Sequence, residues 1–404
     1  MKKSLGLFVS AAAVCFSLAS CQTGLSSQSA LPAGNAAPSQ AAIASPVVFK
    51  FATVGDSRGQ ANTAGNSAQD ERWLQATGIW SRMLSEIEAQ KPQALVFNGD
   101  MINGYTQDMA VIDRQYAFWR GMVVGLMERG TYVVPVPGNH EVQMPFKNAE
   151  GITEKRALIT HENAWRDNMG DLIVDPARWA RTTKTTLAAW NIENTPKIGA
   201  DGVTTDQRQL SYSFDAGNIH MAIINTDPVG FDESAPVVWL EQDLAAAKAR
   251  GAKHFYVFGH KPAFTYFVEA VGAKDKATDK ATDKEAMPSK KARTEDGFGS
   301  RAGLRERFWA AIETYNATYF CGHQHVYHSS QPTRAAGGRS WQVIVGSAGS
   351  PLSIKAGTSK NPFDTMYAWA EVSVRANGTA FVRVNGFDSL QNETRLLEQF
   401  ELSR

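Results

Sequence analysis

The chain has 404 residues, of which 43% are hydrophobic and 20% are charged, and its formal net charge is +1. A near-neutral chain lacks the basic excess of nucleic-acid binders, which argues against a large nucleic-acid surface. Once the N-terminal segments are set aside, about 360 residues remain, which suits one large domain or one domain with long insertions.

The N-terminus carries a segment typical of export. Residues 1–20 are predicted to be a signal peptide, because Lys2 and Lys3 precede an apolar stretch too short and too rich in Ala and Ser for a membrane span. The stretch ends in Leu18-Ala19-Ser20-Cys21, which resembles a bacterial lipobox and implies cleavage before Cys21 and acylation of its sulfur. The alternative is an ordinary signal peptide with a cysteine near its cleavage site.

Lipidation of Cys21 would anchor the chain to a membrane without a spanning helix. Gln22, rather than Asp, follows the cysteine, which favours the outer membrane of the bacterial cell envelope, facing the periplasm or the cell surface. Residues 21–46 are mainly Ser, Ala, Gln, Gly and Pro and are predicted to be a flexible tether. Cys15 lies in the signal peptide and Cys321 is alone in the body, so no intrachain disulfide is expected there.

Short apolar runs that end in glycine-containing turns recur through residues 47–404 and predict buried strands. They are VVFKFATVGD, ALVFNGD, YVVPVPGNH, HMAIINTD, HFYVFGH, ATYFCGH and WQVIVGSAG. Helical patterns separate several of them, namely RWLQATGIWSRMLSEIEAQ, YAFWRGMVVGLMERG and VVWLEQDLAAAKARGA. This alternation predicts an α/β layered domain with mixed or largely parallel sheets. Two alternating runs around Ala376-Asn377-Gly378 predict a hairpin that closes a sheet edge.

Two segments are too long for plain connections and are predicted to be insertions, at about 141–210 and 264–300. The first is predicted to be a lid or a subdomain, with three tryptophans as its core residues: Trp165, Trp179 and Trp190. The second contains a Lys-Ala-Thr-Asp repeat and is predicted to be a solvated, mobile loop between Lys274 and Arg293. The alternative for this loop is a basic rim that steers an anionic substrate.

The first predicted turn, Gly55-Asp56-Ser57-Arg58-Gly59, fits two chemistries. Its Gly-x-Ser-x-Gly spacing matches the nucleophile elbow of a serine hydrolase, whereas Asp56 suits a metal ligand at a strand end. An elbow requires a helix directly after the serine, but the polar stretch GQANTAGNSAQDE intervenes. A nucleophilic Ser57 would also leave four similar turns unexplained, so Asp56 is favoured.

Those four turns carry carboxylate, amide and imidazole side chains at the carboxyl ends of predicted strands, where open α/β sheets bind ligands. They are Gly99-Asp100, Gly138-Asn139-His140-Glu141, Gly259-His260 and Gly322-His323-Gln324-His325. His323 and His325 flank one residue, so both point to one face of an extended segment. Oxygen and imidazole donors without a thiolate suit Zn, Mn or Fe rather than a structural zinc site.

The motifs GD(SRG), GD(MIN), GNHE, GH and GHQH, in this order, resemble those of the calcineurin-like metallophosphoesterase superfamily over residues 48–385. The resemblance implies a four-layer α/β/β/α sandwich of two mixed sheets flanked by helices, with a long insertion after the third motif. It also implies two adjacent divalent cations. The implied ligands are Asp56 and His325 for the first cation, Asn139, His260 and His323 for the second, and Asp100 as the bridge between them.

One position departs from the family pattern. The first motif of the family commonly reads Asp-x-His, but Arg58 stands in place of that histidine and cannot ligate a metal because it stays protonated. Tyr105 or water would then complete the shell of the first cation. Arg58 is expected either to contact a phosphate oxygen or to form a structural ion pair.

The resemblance implies a binuclear phosphoester hydrolase, and our hypothesis is that a metal-bridging hydroxide attacks phosphorus in line. His140 matches the family's general acid or phosphate-contacting histidine, and Asn103 matches a commonly polar position without a ligating role. A small phosphoester is the expected substrate. The alternative hypothesis is a surface lipoprotein that keeps the fold and binds metal or phosphorylated ligands with little or no catalysis. No role is predicted for four other histidines: His161, His220, His254 and His328.

Overall fold

Two large β-sheets and a small hairpin form the strand framework. The computed structural model describes residues 44–151, 153–266, 297–354, 359 and 361–402. The predictions for the signal peptide, Cys21, most of the tether and the Lys274–Arg293 loop therefore lie outside the described residues. The described strands are β1 Val47–Val54, β2 Ala94–Phe97, β3 Tyr132–Pro135, β4 Gln143–Lys147, β5 Thr153–Ala157, β6 Leu187–Ala188, β7 Tyr212–Ala216, β8 Ile219–Ile223, β9 His254–Phe258, β10 Thr318–Cys321, β11 Tyr327–Ser330, β12 Trp341–Val345, β13 Tyr367–Arg375, β14 Ala380–Phe387 and β15 Arg395–Leu402.

Both large sheets are mixed. The first sheet has the order β15-β14-β13-β1-β2-β3, in which β1, β2 and β3 run parallel and the other pairs are antiparallel. The second sheet has the order β11-β12-β10-β9-β8-β7-β6, in which β12, β10, β9 and β8 run parallel. Strands β4 and β5 form a separate antiparallel hairpin. The parallel strands of each sheet bring their carboxyl ends to one edge, where ligands bind in open α/β sheets.

Helices pack against both sheets. The described helices are α1 Ala68–Trp73, α2 Thr77–Ala89, α3 Met109–Glu128, α4 Asn139–Val142, α5 Ile159–Met169, α6 Pro176–Thr183, α7 Val237–Ala249 and α8 Ala302–Thr314. Trp80 of α2 and Trp119 of α3 lie edge-on to Phe97 of β2, each with ring centroids 5.1 Å apart. Helices α7 and α8 pack with β9 and β10 in a separate hydrophobic cluster. Within the described ranges, no helix combines the length and apolar character that a membrane span requires.

The two sheets pack face to face through aromatic side chains. Phe51 of β1 is fully buried, and its ring centroid lies 5.0 Å from Tyr256, 5.7 Å from Phe258 and 6.0 Å from Phe320. Alternate residues of β9 face opposite sides, so Tyr256 and Phe258 contact the first sheet while Val257 contacts the helical cluster. Burial of each such side chain stabilises the fold by about 1.5–3 kcal/mol. The predicted α/β/β/α sandwich is confirmed.

Most predicted elements form, with two corrections. Every apolar run predicted as a strand is one. The pattern predicted as a single helix is divided into α1 and α2, because Leu74 takes a left-handed conformation with φ of 51°. The hairpin around Asn377 forms from β13 and β14, but the prediction that it closes the sheet was wrong, because β15 occupies that edge. The sequence of β15 did not predict a strand because buried and exposed residues do not alternate regularly along it.

The segment 141–210 contributes to the core between the sheets. It contains the β4–β5 hairpin, α5, α6 and β6. Its tryptophans are wholly or partly buried, as predicted for core residues: Trp165, Trp179 and Trp190. Trp179 stacks on Phe49 of β1 and lies edge-on to Phe214 of β7, so one side chain contacts both sheets. The segment therefore fills one side of the space between them.

A buried charge network lies in the second sheet, at a histidine for which the sequence predicted no role. His220 of β8 is fully buried, with Nδ1 2.7 Å from an Asp215 oxygen and Nε2 2.9 Å from an Asp243 oxygen. Arg250 also donates to Asp215, at 2.7 Å. Burial by itself lowers the pKa of His220, but its bonds to both carboxylates outweigh burial and raise the pKa above the ordinary value.

We predict that His220 makes the folding stability depend on pH. Because its pKa is raised in the folded state, its contribution is fully present below about pH 6.5 and is lost as pH rises through the folded value. His220→Gln, which carries no charge at any pH, should lower the free energy of unfolding by about 1–3 kcal/mol at pH 6 and by less at pH 9. Urea unfolding of both proteins at the two pH values checks this. A difference that stays constant or grows with pH would contradict it.

Candidate metal centre

Five turns at the ends of parallel strands form the candidate site. The turns after β1, β2 and β3 belong to neighbouring strands of the first sheet, and those after β9 and β10 belong to neighbours in the second. Because parallel neighbours end at one edge, the two sheets bring these turns together. The turns carry all six predicted ligands: Asp56, Asp100, Asn139, His260, His323 and His325.

Three of these side chains form a tight cluster, which we call the second donor group: Asn139, His260 and His323. The amide oxygen of Asn139 lies 2.9 Å from His260 Nε2 and 2.8 Å from His323 Nδ1. The two ring nitrogens are 3.2 Å apart. Asp100 adjoins the cluster, with Oδ1 3.1 Å from His260 Nε2. Three lone-pair atoms and a carboxylate thus surround one point.

The remaining two side chains, Asp56 and His325, form the first donor group. Asp56 Oδ1 lies 3.5 Å from His325 Nε2. One ligand atom each from Asp56, Asp100 and His325 lie within 4.8 Å of one another, a spacing that would hold a metal ion. Asp100 therefore reaches both donor groups, the position expected of a bridge.

Three of the six side chains are held by backbone in the left-handed region. Asp56, Asp100 and His323 have φ values of 66°, 55° and 69°. Such conformations cost about 1–3 kcal/mol each and persist where the surrounding structure enforces them, often at functional sites. The turns also approach closely, since a Cβ on Gly322 would lie 2.3 Å from an Asp56 carboxylate oxygen. Glycine is therefore required there by contact with the site.

Backbone carbonyls determine which ring nitrogen faces the centre. His260 Nδ1 lies 2.8 Å from the carbonyl oxygen of Asn98, and His325 Nδ1 lies 2.8 Å from that of Pro351. A carbonyl only accepts, so in each neutral ring the proton is on Nδ1 and the lone pair on Nε2 faces the centre. Histidines that bind metals are oriented by the same kind of bond.

The donor set fits divalent cations. Asp56 Oδ1 is buried and has no hydrogen-bond partner among the residues that the structure describes. A buried carboxylate oxygen without a partner is costly. Carboxylate, amide oxygen and imidazole ligands without a thiolate suit Zn, Mn or Fe. Cations bound by both donor groups would satisfy these atoms together.

Electrostatics at the centre favour positive charge. Burial raises the pKa of Asp56 well above its ordinary value, and the neighbouring Asp100 carboxylate adds to the rise. Burial acts in the same direction on Asp100, but His140, His260 and Arg58 outweigh it and hold the pKa of Asp100 well below its ordinary value. Burial opposes protonation of His260, yet the two carboxylates raise its pKa to about 10. The two acids therefore attract any available cation.

Arg58 lies within the first donor group. Its Nε donates to Asp100 Oδ2 at 3.1 Å, and its Nη2 lies 3.3 Å from His325 Nε2. The side chain is almost fully buried, and its Nη1 has no hydrogen-bond partner within the described part of the chain. The expected ion pair is present, and one N–H group stays available for a ligand oxygen.

Tyr105 does not replace the missing histidine of the first motif. Its hydroxyl accepts hydrogen bonds from Asn139 Nδ2 and from Lys155 Nζ, the latter at 2.7 Å. Tyr105 therefore orients an amide of the second donor group, and the expectation that it completes the first was wrong. Sequence alone could not show this, since the direction of the tyrosine ring depends on its packing against His140, with ring centroids 3.9 Å apart.

His140 lies beside Asp100, with its Nε2 3.7 Å from Oδ2. Its Nδ1 bonds to the carbonyl oxygen of Asn103, and the Asn103 side chain donates to the carbonyl of Gly59 at 3.1 Å. Asn103 thus contributes by holding His140 and by tying the first turn to the second. Burial lowers the pKa of His140 well below its ordinary value, so the ring is neutral near pH 7.

Glu141 was in a predicted turn but was given no role, and it connects two turns of the site. Its fully buried carboxylate accepts four backbone N–H groups, from Gly138, Asp100, Met101 and Ile102, at 2.7–3.2 Å. Burial, together with Asp100, raises the pKa of Glu141 to about 7. An acid at the start of a short helix was the only available sequence signal.

The other polar candidates lie outside the donor groups. Ser57 is fully buried and accepts a hydrogen bond from Trp119 Nε1 at 3.1 Å, so its hydroxyl faces α3. The histidines without a predicted role lie elsewhere. His161 contacts Thr106, His220 contacts Asp215 and Asp243, and His328 contacts Tyr266. His254 is the first residue of β9, at the end of the strand opposite His260.

A cavity of about 390 Å³ adjoins the second donor group at Asn139 and His323. Residues of both charges line it. The basic side chains are Lys155, Arg156, Lys261 and Arg301, and the acidic ones are Glu154, Asp232 and Glu233. The centre is thus reached from a polar cleft of small-molecule size.

Comparison with solved structures finds one chain that shares the fold and two weaker matches. A purple acid phosphatase, PPD1, from yellow lupin (Lupinus luteus) seeds matches with a TM-score of 0.54 and 14% identity, over 89% of this chain and 54% of the lupin chain. This chain therefore spans about half the length of that phosphatase. A dimetal phosphatase from Danio rerio matches with a TM-score of 0.42 and 12% identity, over 89% of this chain and 100% of that one. GAP50, the anchor in the inner membrane complex of Plasmodium, matches with a TM-score of 0.42 and 11% identity, over 88% of each chain.

Comparison of the sequence itself identifies the family. No curated protein matches the chain. The sequence model of the calcineurin-like phosphoesterase family, however, matches residues 50–327, which is more than half of the chain and includes every turn of the candidate centre. The chain belongs to the calcineurin-like phosphoesterase family.

Proposed function

We propose that the chain is a metal-dependent phosphoester hydrolase with a binuclear centre of Mn, Fe or Zn. One cation would be held by Asp56 and His325 and the other by the second donor group, with Asp100 between them. The observation that carries this proposal is the convergence of the six donors from five turns of two sheets. Bound there, the cations would neutralise phosphate charge and lower the pKa of the attacking water.

Arg58 would contact the substrate directly. Its Nη1 is buried and makes no hydrogen bond to any described residue, while Nε donates to Asp100. A guanidinium N–H forms strong, charge-assisted hydrogen bonds with phosphate oxygens. Charge that develops on those oxygens during the reaction would therefore be stabilised by the guanidinium.

His140 would deliver the proton to the leaving oxygen. Its Nδ1 is held by the carbonyl of Asn103, so Nε2 is the atom that takes up and releases a second proton. Burial keeps the ring neutral near pH 7, and a bound phosphate anion would raise its pKa by supplying negative charge nearby. A proton placed on the departing oxygen lowers the cost of breaking the ester bond.

The cleft beside Asn139 and His323 supports a small phosphoester as substrate. Its volume of about 390 Å³ suits a ligand of that size, and its mixed charge suits a polar group on the leaving side. A weakly catalytic or purely binding protein is the second candidate function. The contacts of Arg58 with Asp100 and His325 favour it, because they use donors that the first cation requires.

We also propose that the chain is anchored in the bacterial cell envelope, in the outer membrane, by a lipid on Cys21. Support comes from Leu18-Ala19-Ser20-Cys21 and from Gln22 after it. An acyl anchor would hold the domain at a membrane surface without a spanning helix.

We predict that His260→Ala lowers both bound metal and phosphoesterase turnover by more than about 100-fold, since even residues that merely orient ligands contribute 10–100-fold. His254→Ala, at the opposite end of β9, serves as the control and should leave both unchanged. Chelator-stripped protein is refilled with Mn²⁺, Zn²⁺ or Fe²⁺, counted for metal and assayed on aryl phosphomonoesters and diesters. Activity that survives complete stripping would refute metal dependence, and metal without turnover would favour the binding function.

We predict that His140→Ala slows turnover by about 10²–10⁴-fold, the range contributed by general acids, and leaves the metal content intact. The defect should be smaller on substrates whose leaving group has a low pKa, because such groups depart without a proton. Rates on a series of substituted phenyl phosphates check this. An equal defect across the series would exclude His140 as the proton donor.

We predict that Cys21→Ser moves the protein from the membrane fraction to the soluble fraction of lysed cells, because the acylated sulfur is lost. Cys321→Ser, which alters a buried cysteine of β10, is the control and should stay with the membranes. Immunoblots of the separated fractions give the answer. Membrane retention of the Cys21 variant would rule out this anchor.

A further inference from the structure

In the first donor group, a guanidinium and a metal ion would compete for the same nitrogen lone pair of His325. His325 Nδ1 is turned to the carbonyl oxygen of Pro351, so the lone pair of the neutral ring is on Nε2. Arg58 Nη2 lies 3.3 Å from this Nε2 and donates to it. A metal ion ligated by His325 would use the same lone pair. The guanidinium and the ion therefore cannot both be bound to His325.

Asp100 is shared in the same way. Its Oδ2 accepts Arg58 Nε at 3.1 Å, which leaves Oδ1 toward His260. The Arg58 backbone is fixed as well, since its N–H donates to the Asp100 carbonyl at 3.2 Å and its carbonyl accepts from Ser350 Oγ at 2.9 Å. Only the side chain of Arg58 is able to give way to an ion. That movement would break the buried ion pair between Arg58 and Asp100.

The second donor group contrasts with the first. Asn139 Oδ1, His260 Nε2 and His323 Nδ1 lie 2.8–3.2 Å apart, and the other ring nitrogen of His260 bonds to the carbonyl of Asn98. Lone pairs at this distance repel unless a proton or a cation lies between them. In the first group a guanidinium already supplies positive charge, whereas in the second group a cation bound among the three donor atoms would supply it.

We propose that Arg58 makes the two cation sites unequal in affinity. The second donor group binds its divalent ion tightly. The first donor group accepts an ion only when the guanidinium leaves Asp100 and His325, so that ion binds weakly and exchanges readily. At low metal concentration the guanidinium itself serves as the second positive charge of the centre. This inference rests on the proposed metal-dependent function and deepens it.

The test is a calorimetric titration of the chelator-stripped, full-length protein with Mn²⁺. Wild type should bind in two steps whose dissociation constants differ by about 100-fold, the scale set by breaking a buried ion pair. Arg58→Gln removes the competing charge without adding a ligand, so the weak step should tighten at least tenfold. Arg72→Gln, an exposed arginine on α1, is the matched control and should leave both steps unchanged.

The outcomes separate this inference from the function on which it rests. Two wild-type steps within tenfold of each other would overturn it, and this measurement requires no variant. An unchanged weak step in Arg58→Gln would overturn it too. If the Gln variant does not fold, Arg58→His replaces it with the same expected tightening. Failure of wild type to bind any Mn²⁺, Zn²⁺ or Fe²⁺ would instead contradict the proposed function.

Discussion

The structure depends on the burial of two carboxylates where the two sheets meet. Asp56 and Asp100 are almost completely shielded from solvent, and a pair of ionised acids is not stable in such a place without nearby positive charge. Imidazoles, a guanidinium and metal cations are the available sources of positive charge. The identity of the side chains around the acids follows from this requirement, as does the family's use of divalent metals.

The scaffold supplies the rigidity that this arrangement needs. Aromatic packing between the sheets, centred on Phe51, fixes one set of strand ends against the other. Glu141 then ties the second and third turns together through four backbone N–H groups. Strained left-handed residues at three turns are tolerated because these contacts enforce them. Packing in the core thus holds the side chains of the site in fixed positions.

Arg58 is the feature that distinguishes this centre from the pattern of its family. A histidine at this position would add a ligand, whereas an arginine adds a permanent charge and a set of donors. The contacts with Asp100 and His325 show that the charge is placed among the ligands rather than beside them. We propose that both substrate binding and metal affinity depend on this one side chain.

The sequence by itself determined most of the strands, the layered fold and the residues able to donate to a metal, because apolar runs and glycine-bounded turns are local patterns. Tertiary structure alone decided the rest. It placed β15 at the edge, turned Tyr105 toward Asn139, gave Glu141 its four donors and paired His220 with two acids. Arg58 and His325 are 267 positions apart, so only the order of strands in two packed sheets decides that they share a lone pair.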